Sequence, residues 1–421
     1  MKANAAPRHG GKPAAGKPSI SRAGAGARLP HVTDHAPRIK PRAPGVPLRI
    51  LTAVPICDGH DSAINTINLE FIRHGIEVIY LGYHRSARDI VRAAIQEDAR
   101  AIGISSYNGG HVEFFAEVID LLKKNGAGDI GVFGGGGGTI TSTDTRAMEK
   151  NGVDRIFFAG TPLRQMVEFV KTTYGRPRRE AVPSVAKPKL LSDRLLARLL
   201  TAVESGKSST THHARRITHD ASRITPVVGI TGPGGAGKTT LIDELVLRFL
   251  AADPRARLAV LSHDPSLIGK GALLGDRATM IHSQDDRVFL RSLATRGQAG
   301  GLSPATEGCL QLLKCSGFDL VLIETVGIGQ ESMPFGRGLV DKTVFVMSPD
   351  YGSGLQLQKI VMLDIADIIV VNKADLSGAK TAAAEIGRRL SLNHQGQNLI
   401  LTVAKRHRDP GTDQVFGLLN S

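Results

Sequence analysis

The sequence predicts an α/β chain made of two parallel sheets in series, and three observations lead there. Short apolar runs alternate with helical runs from Leu48 to Phe158, and alternate again from Ile224 to the end. Gly232-Pro-Gly-Gly-Ala-Gly-Lys-Thr239 stands between an apolar run and a helical run, the strand–loop–helix context that a phosphate-binding loop requires. Asn372-Lys373-Ala374-Asp375 follows a later apolar run, Ile368 to Val371, and so sits at a strand end.

The first half is read in order as strand 49–56, helix 61–75, strand 76–81, helix 87–97, strand 101–105, helix 111–124, strand 130–133, a further helix and strand 156–158. Five strands in roughly 115 residues is the size of a flavodoxin-like domain. Three motifs fall at carboxyl ends of these strands, where doubly wound sheets bind ligands. They are Asp58-Gly59-His60-Asp61 after the first strand, Ser105-Ser106-Tyr107 after the third, and Gly134 to Gly138 after the fourth. Consecutive glycines permit close approach by a flat or bulky ligand. A lone loop histidine is usually just exposed. With three motifs at one sheet end, His60 is expected to be a metal ligand, with Asp58 holding its other ring nitrogen and fixing the tautomer.

Residues 161–225 read as a helical linker that ends in a flexible, basic stretch. Residues 1–47 read as a disordered basic extension. These positions explain the net charge of +14. Residues 1–47 carry about +8 and residues 171–225 about +8, so the remaining chain is close to neutral and no nucleic-acid partner is expected. The chain has no Trp and five Tyr, too few for a base-stacking platform. Cys57, Cys309 and Cys315 have neither zinc-site spacing nor an even count for disulfides. They predict reduced thiols and a cytoplasmic location. No apolar run reaches membrane-spanning length, so no membrane partner is expected.

The second half, 226–421, predicts strands at 226–231, 257–262, 319–324, 342–347, 367–372 and 398–403. Gly232, Gly234, Gly235, Ala236 and Gly237 let backbone N–H groups curl around phosphate oxygens. Lys238 is expected to reach the outer phosphates, Thr239 to offer a hydroxyl to magnesium, and Thr240 to continue the helix N-terminus that attracts anions. The loop alone does not choose between ATP and GTP. Asn372, Lys373 and Asp375 do: Asp375 accepts from the guanine ring N–H and exocyclic amine, which adenine does not offer, and the Lys373 stem lies along the base. Val403-Ala404-Lys405 is the expected last base-contacting loop. Magnesium needs oxygen ligands beside phosphate and water, and Asp264, Asp276 and Glu324 are the carboxylates suited to it. Glu324-Thr-Val-Gly327 stands where GTPases ordinarily have Asp-x-x-Gly. Glu324 keeps the carboxylate, and Gly327 keeps an N–H for the γ-phosphate. No residue is identifiable as the water-positioning catalyst, because Gln330 has a different offset from Gly327 than the glutamine of Ras-like GTPases.

Taken together, these motifs resemble a known family. Residues 48–160 resemble the cobalamin-binding domain of acyl-CoA mutases, with Asp58-x-His60, Ser105 and Gly137-Gly138 in place. Ala63 and Tyr107 replace that pattern's glycine and leucine, and in this they are similar to fused isobutyryl-CoA mutases. Residues 226–408 resemble the G-protein chaperones of methylmalonyl-CoA mutase, sharing Gly-Ala-Leu-Leu-Gly-Asp276, Glu324-Thr-Val-Gly327 and Asn372-Lys-x-Asp375. The resemblance implies that adenosylcobalamin is the cofactor and that His60 is the lower axial ligand of cobalt. It further implies that Ser105, Gly137 and Gly138 line the slot for the displaced cofactor tail, with Asp58, Gly59 and Asp61 beside it. GTP hydrolysis, with Lys238 and Glu324 as catalytic groups, would gate cofactor loading or removal. Ser348 to Lys359 resembles a further switch segment of the family. The fused enzymes continue into an acyl-CoA-binding barrel. Carbon-skeleton isomerisation is therefore expected only with a barrel subunit or a full-length mutase as partner, and a homo-oligomer is expected. A cobalamin carrier or sensor is the alternative.

Overall fold

The structure, a computed structural model, describes residues 46–56, 58, 62–176, 191–206, 225–327, 334–336, 338–351, 360–393 and 396–420. Gly59, His60 and Asp61 lie outside the described residues, as do Cys57, Gln330 and Lys359. The expected basic extension 1–47 lies almost wholly outside them, and so does most of the basic linker stretch.

Five strands build the first sheet: β1 (Arg49–Ala53), β2 (Glu77–Tyr80), β3 (Ala101–Ser105), β4 (Gly131–Gly135) and β5 (Arg155–Phe157). They alternate with α1 (Ser62–Arg73), α2 (Ala87–Gln96), α3 (His111–Lys124), α4 (Ser142–Asn151) and α5 (Leu163–Tyr174). The strand order is β5-β4-β3-β1-β2, all parallel, the expected flavodoxin-like arrangement. Burial on both faces explains the near-continuous apolar strands. Helix starts are set locally: Ser86 with Asp89 and Thr141 with Asp144 form capping boxes at α2 and α4.

Helix α5 was expected in a linker but packs on this sheet. Val167, Val170 and Tyr174 join Phe133 and Phe157 in one buried cluster, and the Tyr174 hydroxyl donates to Asp154 at 2.8 Å. Its apolar face needs cover, which the sheet supplies. A sixth helix, α6 (Asp193–Glu204), packs Leu196, Leu199 and Leu200 into a core shared with the second half of the chain.

The second half contains α7 (Lys238–Ala252), α8 (Thr306–Lys314), α9 (Met362–Ile365), α10 (Ala379–Asn393) and α11 (Pro410–Asn420). Its strands are β6 (Val227–Thr231), β7 (Leu258–Asp264), β8 (Ala272–Leu274), β9 (Val288–Ala294), β10 (Leu320–Glu324), β11 (Lys342–Met347), β12 (Ile368–Val371) and β13 (Asn398–Leu401). Seven of them form a parallel sheet in the order β13-β12-β11-β6-β10-β7-β9. Two strands were not foreseen. In β9 the apolar pattern is broken by Arg291, which is wholly buried. The other, β8, does not enter its own sheet. It pairs parallel to β2 at the edge of the first sheet, Glu77 opposite Ala272 and Ile79 opposite Leu274.

The two halves also share a buried charge cluster. Arg49 binds Glu77 at 2.8 Å and Glu204 at 3.1 Å. Arg296 binds the same two carboxylates, at 3.1 and 2.8 Å. Arg291 pairs with Glu204, and Arg277 with Glu97 at 3.3 Å. Glu97 also accepts from the Ser292 backbone N–H and hydroxyl, at 3.1 and 3.0 Å. Buried ions are tolerated only when their charge and hydrogen-bonding capacity are both met, and here every carboxylate has at least two donors. Burial pushes Glu204 up, but Arg49, Arg291 and Arg296 outweigh it and hold the carboxyl down at about 2. Among the described residues, no helix is long and apolar enough to cross a membrane.

Candidate functional site

The phosphate loop joins β6 to α7 at the carboxyl edge of the second sheet. Its glycines are there for space. A Cβ on Gly232 would stand 1.9 Å from the Val346 carbonyl oxygen, and one on Gly237 would stand 2.3 Å from Asn372 Nδ2. Both have positive φ, +147° and +90°, which disfavours any side chain. Gly234 and Gly235 are exposed and have open space at their Cβ positions. Ala236 is buried and presents its carbonyl to Asn372. Gly327 lies against the loop, where a Cβ would meet Gly234 Cα at 2.5 Å. This approach explains the glycine in Glu324-Thr-Val-Gly327.

Lys238 begins α7, and its Nζ donates to the carbonyls of Gly232 and Pro233 at 3.1 and 3.2 Å. Burial lowers its pKa, while Glu324 and Asp276 act against that. Thr239 Oγ1 donates to Glu324 Oε1 at 2.8 Å. Thr240 is exposed on the same first turn. Ser262 donates to Asp276 Oδ2 and lies 3.4 Å from Glu324 Oε2. Glu324 thus touches Thr239, Asp276 meets Glu324 through Ser262, and Asp264 lies near enough for both of their charges to act on it. Burial and the Asp276 charge push Glu324 up to about 8. Burial also raises Asp276. Asp264 is raised well above its ordinary value by burial, then by Asp276 and Glu324. Asp264 Oδ2 is buried with no hydrogen-bond partner. Three crowded acids, an orphaned oxygen and a hydroxyl are an oxygen donor set with a charge deficit, which suits a hard divalent cation such as magnesium.

The base-reading motif sits where the sequence places it, after β12. Asn372 also fastens two loops: its Nδ2 donates to the Ala236 carbonyl at 2.9 Å, and its Oδ1 accepts from Thr402 Oγ1 and Ala404 N, each at 3.0 Å. Lys373 takes the left-handed conformation, φ 59°. Asp375 is exposed, and Lys405 pairs with it at 2.6 Å. That hydrogen bond lowers its pKa, keeping the carboxylate ready to accept. Sequence reasoning did not single out Ser262, Asn372 as a loop fastener, or Thr402. Ser262 and Thr402 carry no motif of their own, and Asn372 is signalled only by the base-reading motif.

The first sheet holds an apolar cavity of about 340 Å³ at its carboxyl end, lined by Ser105, Tyr107, Gly137 and Phe157 among others. Asp58 is fully buried, and its Oδ2 accepts from the Tyr107 backbone N–H, so the loops after β1 and β3 are tied together. Ser105 is buried at the end of β3. The glycines differ among themselves. Gly134 and Gly135 belong to β4. A Cβ on Gly136 would stand 1.8 Å from the Ser106 carbonyl oxygen, and one on Gly137 2.5 Å from the Tyr107 ring. Only at Gly138, among these five, is the Cβ position open. The glycine run therefore packs β4 against its neighbours and also faces the cavity. A planar aromatic group fits this cavity in size and polarity, which suits the displaced tail of cobalamin.

A phosphate-loop GTPase fold carrying a guanine-type motif, joined to a flavodoxin-like domain with a ligand cavity, defines the class. Comparison with known proteins gives the family. Residues 196–411 match the family described as methylmalonyl-CoA mutase-associated GTPase MeaB, and residues 48–166 match the B12 binding domain. The chain belongs to the MeaB family and carries a cobalamin-binding domain ahead of its GTPase domain. It is 40% identical over 401 residues to the fused isobutyryl-CoA mutase of Cupriavidus metallidurans, covering 90% of this chain and 36% of that protein. The fused isobutyryl-CoA mutase of Geobacillus kaustophilus is 38% identical, covering 88% of this chain and 36% of that protein. That of Nocardia farcinica is also 38% identical, covering 89% and 34%. The chain thus spans about a third of the length of these relatives.

Proposed function

We propose that this chain binds adenosylcobalamin on its first sheet and GTP with magnesium on its second, and that GTP hydrolysis gates transfer of the cofactor to or from an acyl-CoA mutase. The observation that carries the reading is β8. This strand of the GTPase domain is hydrogen-bonded to the cobalamin-binding sheet and leads within two residues to Asp276 in the carboxylate cluster. A change of ligands at Asp276 therefore pulls on a strand of the other domain.

In the nucleotide half, the loop glycines and α7 cradle the phosphates, and Lys238 exchanges its loop carbonyls for phosphate oxygens. Thr239, Glu324, Asp264 and Asp276 would hold magnesium, whose charge supports phosphoryl transfer. Gly327 donates its N–H to the γ-phosphate, and Asp375 selects guanine. In the first half, His60 would hold the cobalt of cobalamin, with Asp58, Gly59 and Asp61 beside it in sequence. Ser105, Gly137 and Gly138 receive the cofactor tail, while Asp58 holds Tyr107 at the mouth of the cavity. Bound adenosylcobalamin supplies the radical chemistry of a mutase, and the acyl-CoA site belongs to a barrel partner. The chain acts in the cytoplasm, where acyl-CoA substrates and reduced thiols coexist.

The test is GTP turnover and cobalamin release measured with and without a mutase barrel protein. Turnover that changes with the partner, and cofactor transfer that needs GTP, support the gate. Turnover indifferent to any partner, with cobalamin still bound, leaves a carrier or sensor. An absorbance spectrum of bound adenosylcobalamin that His60→Ala leaves unchanged refutes axial ligation.

A further inference from the structure

Glu244, His282 and His407 converge beside α7, and no role described above uses them. One ligand atom from each lies within 4.8 Å of the other two. They come from three separate places: Glu244 from the second turn of α7, His282 from a short 3-10 turn after the Asp276 segment, and His407 from the loop following β13. Glu244 is buried, 4% exposed. Its Oε2 accepts from Arg248 at 2.7 Å, leaving Oε1, which lies 2.7 Å from His407 Nδ1. Arg248 is in turn fixed by Asp413 at 2.7 Å. His282 is held from behind, because Asp243 accepts the backbone N–H groups of Ile281, His282 and Ser283 at 2.9 to 3.2 Å. Its Nε2 is buried and has no hydrogen-bond partner.

We propose that Glu244, His282 and His407 form a second metal site, for zinc or a similar divalent transition ion, distinct from the magnesium cluster. Two imidazoles and one carboxylate with a fourth position open is a zinc donor set, whereas magnesium prefers oxygen alone. Tetrahedral zinc sets its ligand atoms about 3.3 Å apart, so closing the present triangle takes side-chain shifts of roughly an ångström. The unpartnered His282 nitrogen gains a partner, and Arg248 orients the Glu244 carboxylate as an outer support. The ion would cross-link the phosphate-loop helix to the segment after Asp276 and to the loop bearing Lys405. Lys405 is two residues before His407 and pairs with Asp375. The ion would thus brace the base-reading end of the nucleotide site.

The full untagged chain, stripped with chelator, is titrated with zinc in excess magnesium against a coloured zinc chelator, and metal content is read by elemental analysis. One zinc per chain is expected. The apparent affinity should fall at least tenfold in His407→Ala and in His282→Ala, and zinc should raise the melting temperature of the parent chain and of Asp276→Asn but not of the two histidine variants. Asp276→Asn should keep its zinc. His407 is 71% exposed at its side chain, so its alanine variant tests the site without disturbing the core. A parent chain that takes up no zinc overturns the proposal, as do variants that retain it. Loss confined to Asp276→Asn also overturns it, by placing the zinc at the nucleotide's cation site.

Discussion

The two candidate sites lie at carboxyl edges of parallel sheets but are built by opposite means. The cavity of the first sheet is made by leaving side chains out: glycines at 136 and 137 bring β4 and its loop against Ser106 and Tyr107, and the lining is apolar. The nucleotide site is made by crowding charge in. Lys238, Asp264, Asp276 and Glu324 share one corner, with pKa values displaced by burial and by one another. The difference teaches what each site needs. The first selects by shape and tolerates little added volume. The second is poised for ionic ligands, whose arrival discharges the electrostatic stress of the acids.

The contrast breaks most sharply at Lys238. Its replacement by Ala should lower GTP turnover by at least a hundredfold, as loss of one preorganised charge on a phosphoryl group does, while cobalamin absorbance stays as in the parent chain. A comparable loss of cobalamin binding would show that the two sites are not separately built. On the other side, Gly136→Ala should abolish cobalamin uptake and cost about 1–3 kcal/mol of stability, because the added carbon meets a carbonyl oxygen that cannot move aside. Gly138→Ala, with open space around it, should fold as well as the parent chain by thermal melting. Equal damage from both would mean that packing does not distinguish these glycines.

How far the sequence discloses such sites depends on whether a local pattern carries them. The phosphate loop and Asn372–Asp375 are contiguous and need particular residues at fixed offsets, so they are legible. Both sheets are legible as well, since buried parallel strands are apolar runs. The seam between the halves is not. Arg291 interrupts an apolar strand, Glu97 ends a helix, and Glu204 lies in a segment read as a linker. Each looks like a surface residue until its partners, 48 to 195 positions away, are known. The three residues of β8 are too few for any periodicity and declare themselves only through pairing with β2. His60 is legible as part of a motif, and its geometry lies outside the described residues.

A smaller effect sharpens the comparison by asking what links the two sites. Asp375→Ala removes an acceptor matched to guanine, so affinity for GTP should fall roughly 10- to 100-fold, the range for a charge-assisted hydrogen bond, and preference over ATP should narrow. Equilibrium titration with both nucleotides measures it. Cobalamin affinity should be unaffected, because β12, which Asp375 follows, is separated by three strands from β7, the nearer of the two strands of its sheet that meet β8. Unchanged preference for guanine would remove Asp375 from its assigned role.

The seam itself makes the last prediction, and its sign follows from Glu204. A carboxyl depressed on folding contributes stability that is complete above its ordinary pKa of 4.5 and is lost as pH falls through its folded value of about 2. The parent chain should therefore shed this contribution progressively between those limits. Glu204→Gln cannot titrate there, so its melting temperature should be lower than the parent's at neutral pH and should approach it in acid. At neutral pH the variant strands the charges of Arg49, Arg291 and Arg296, a loss of about 3–5 kcal/mol if they stay buried and less if Arg296, which is partly exposed, turns to solvent. Melting curves of both chains across that interval decide the matter: parallel profiles would mean that Glu204 is not what ties acid stability to the contact between the halves.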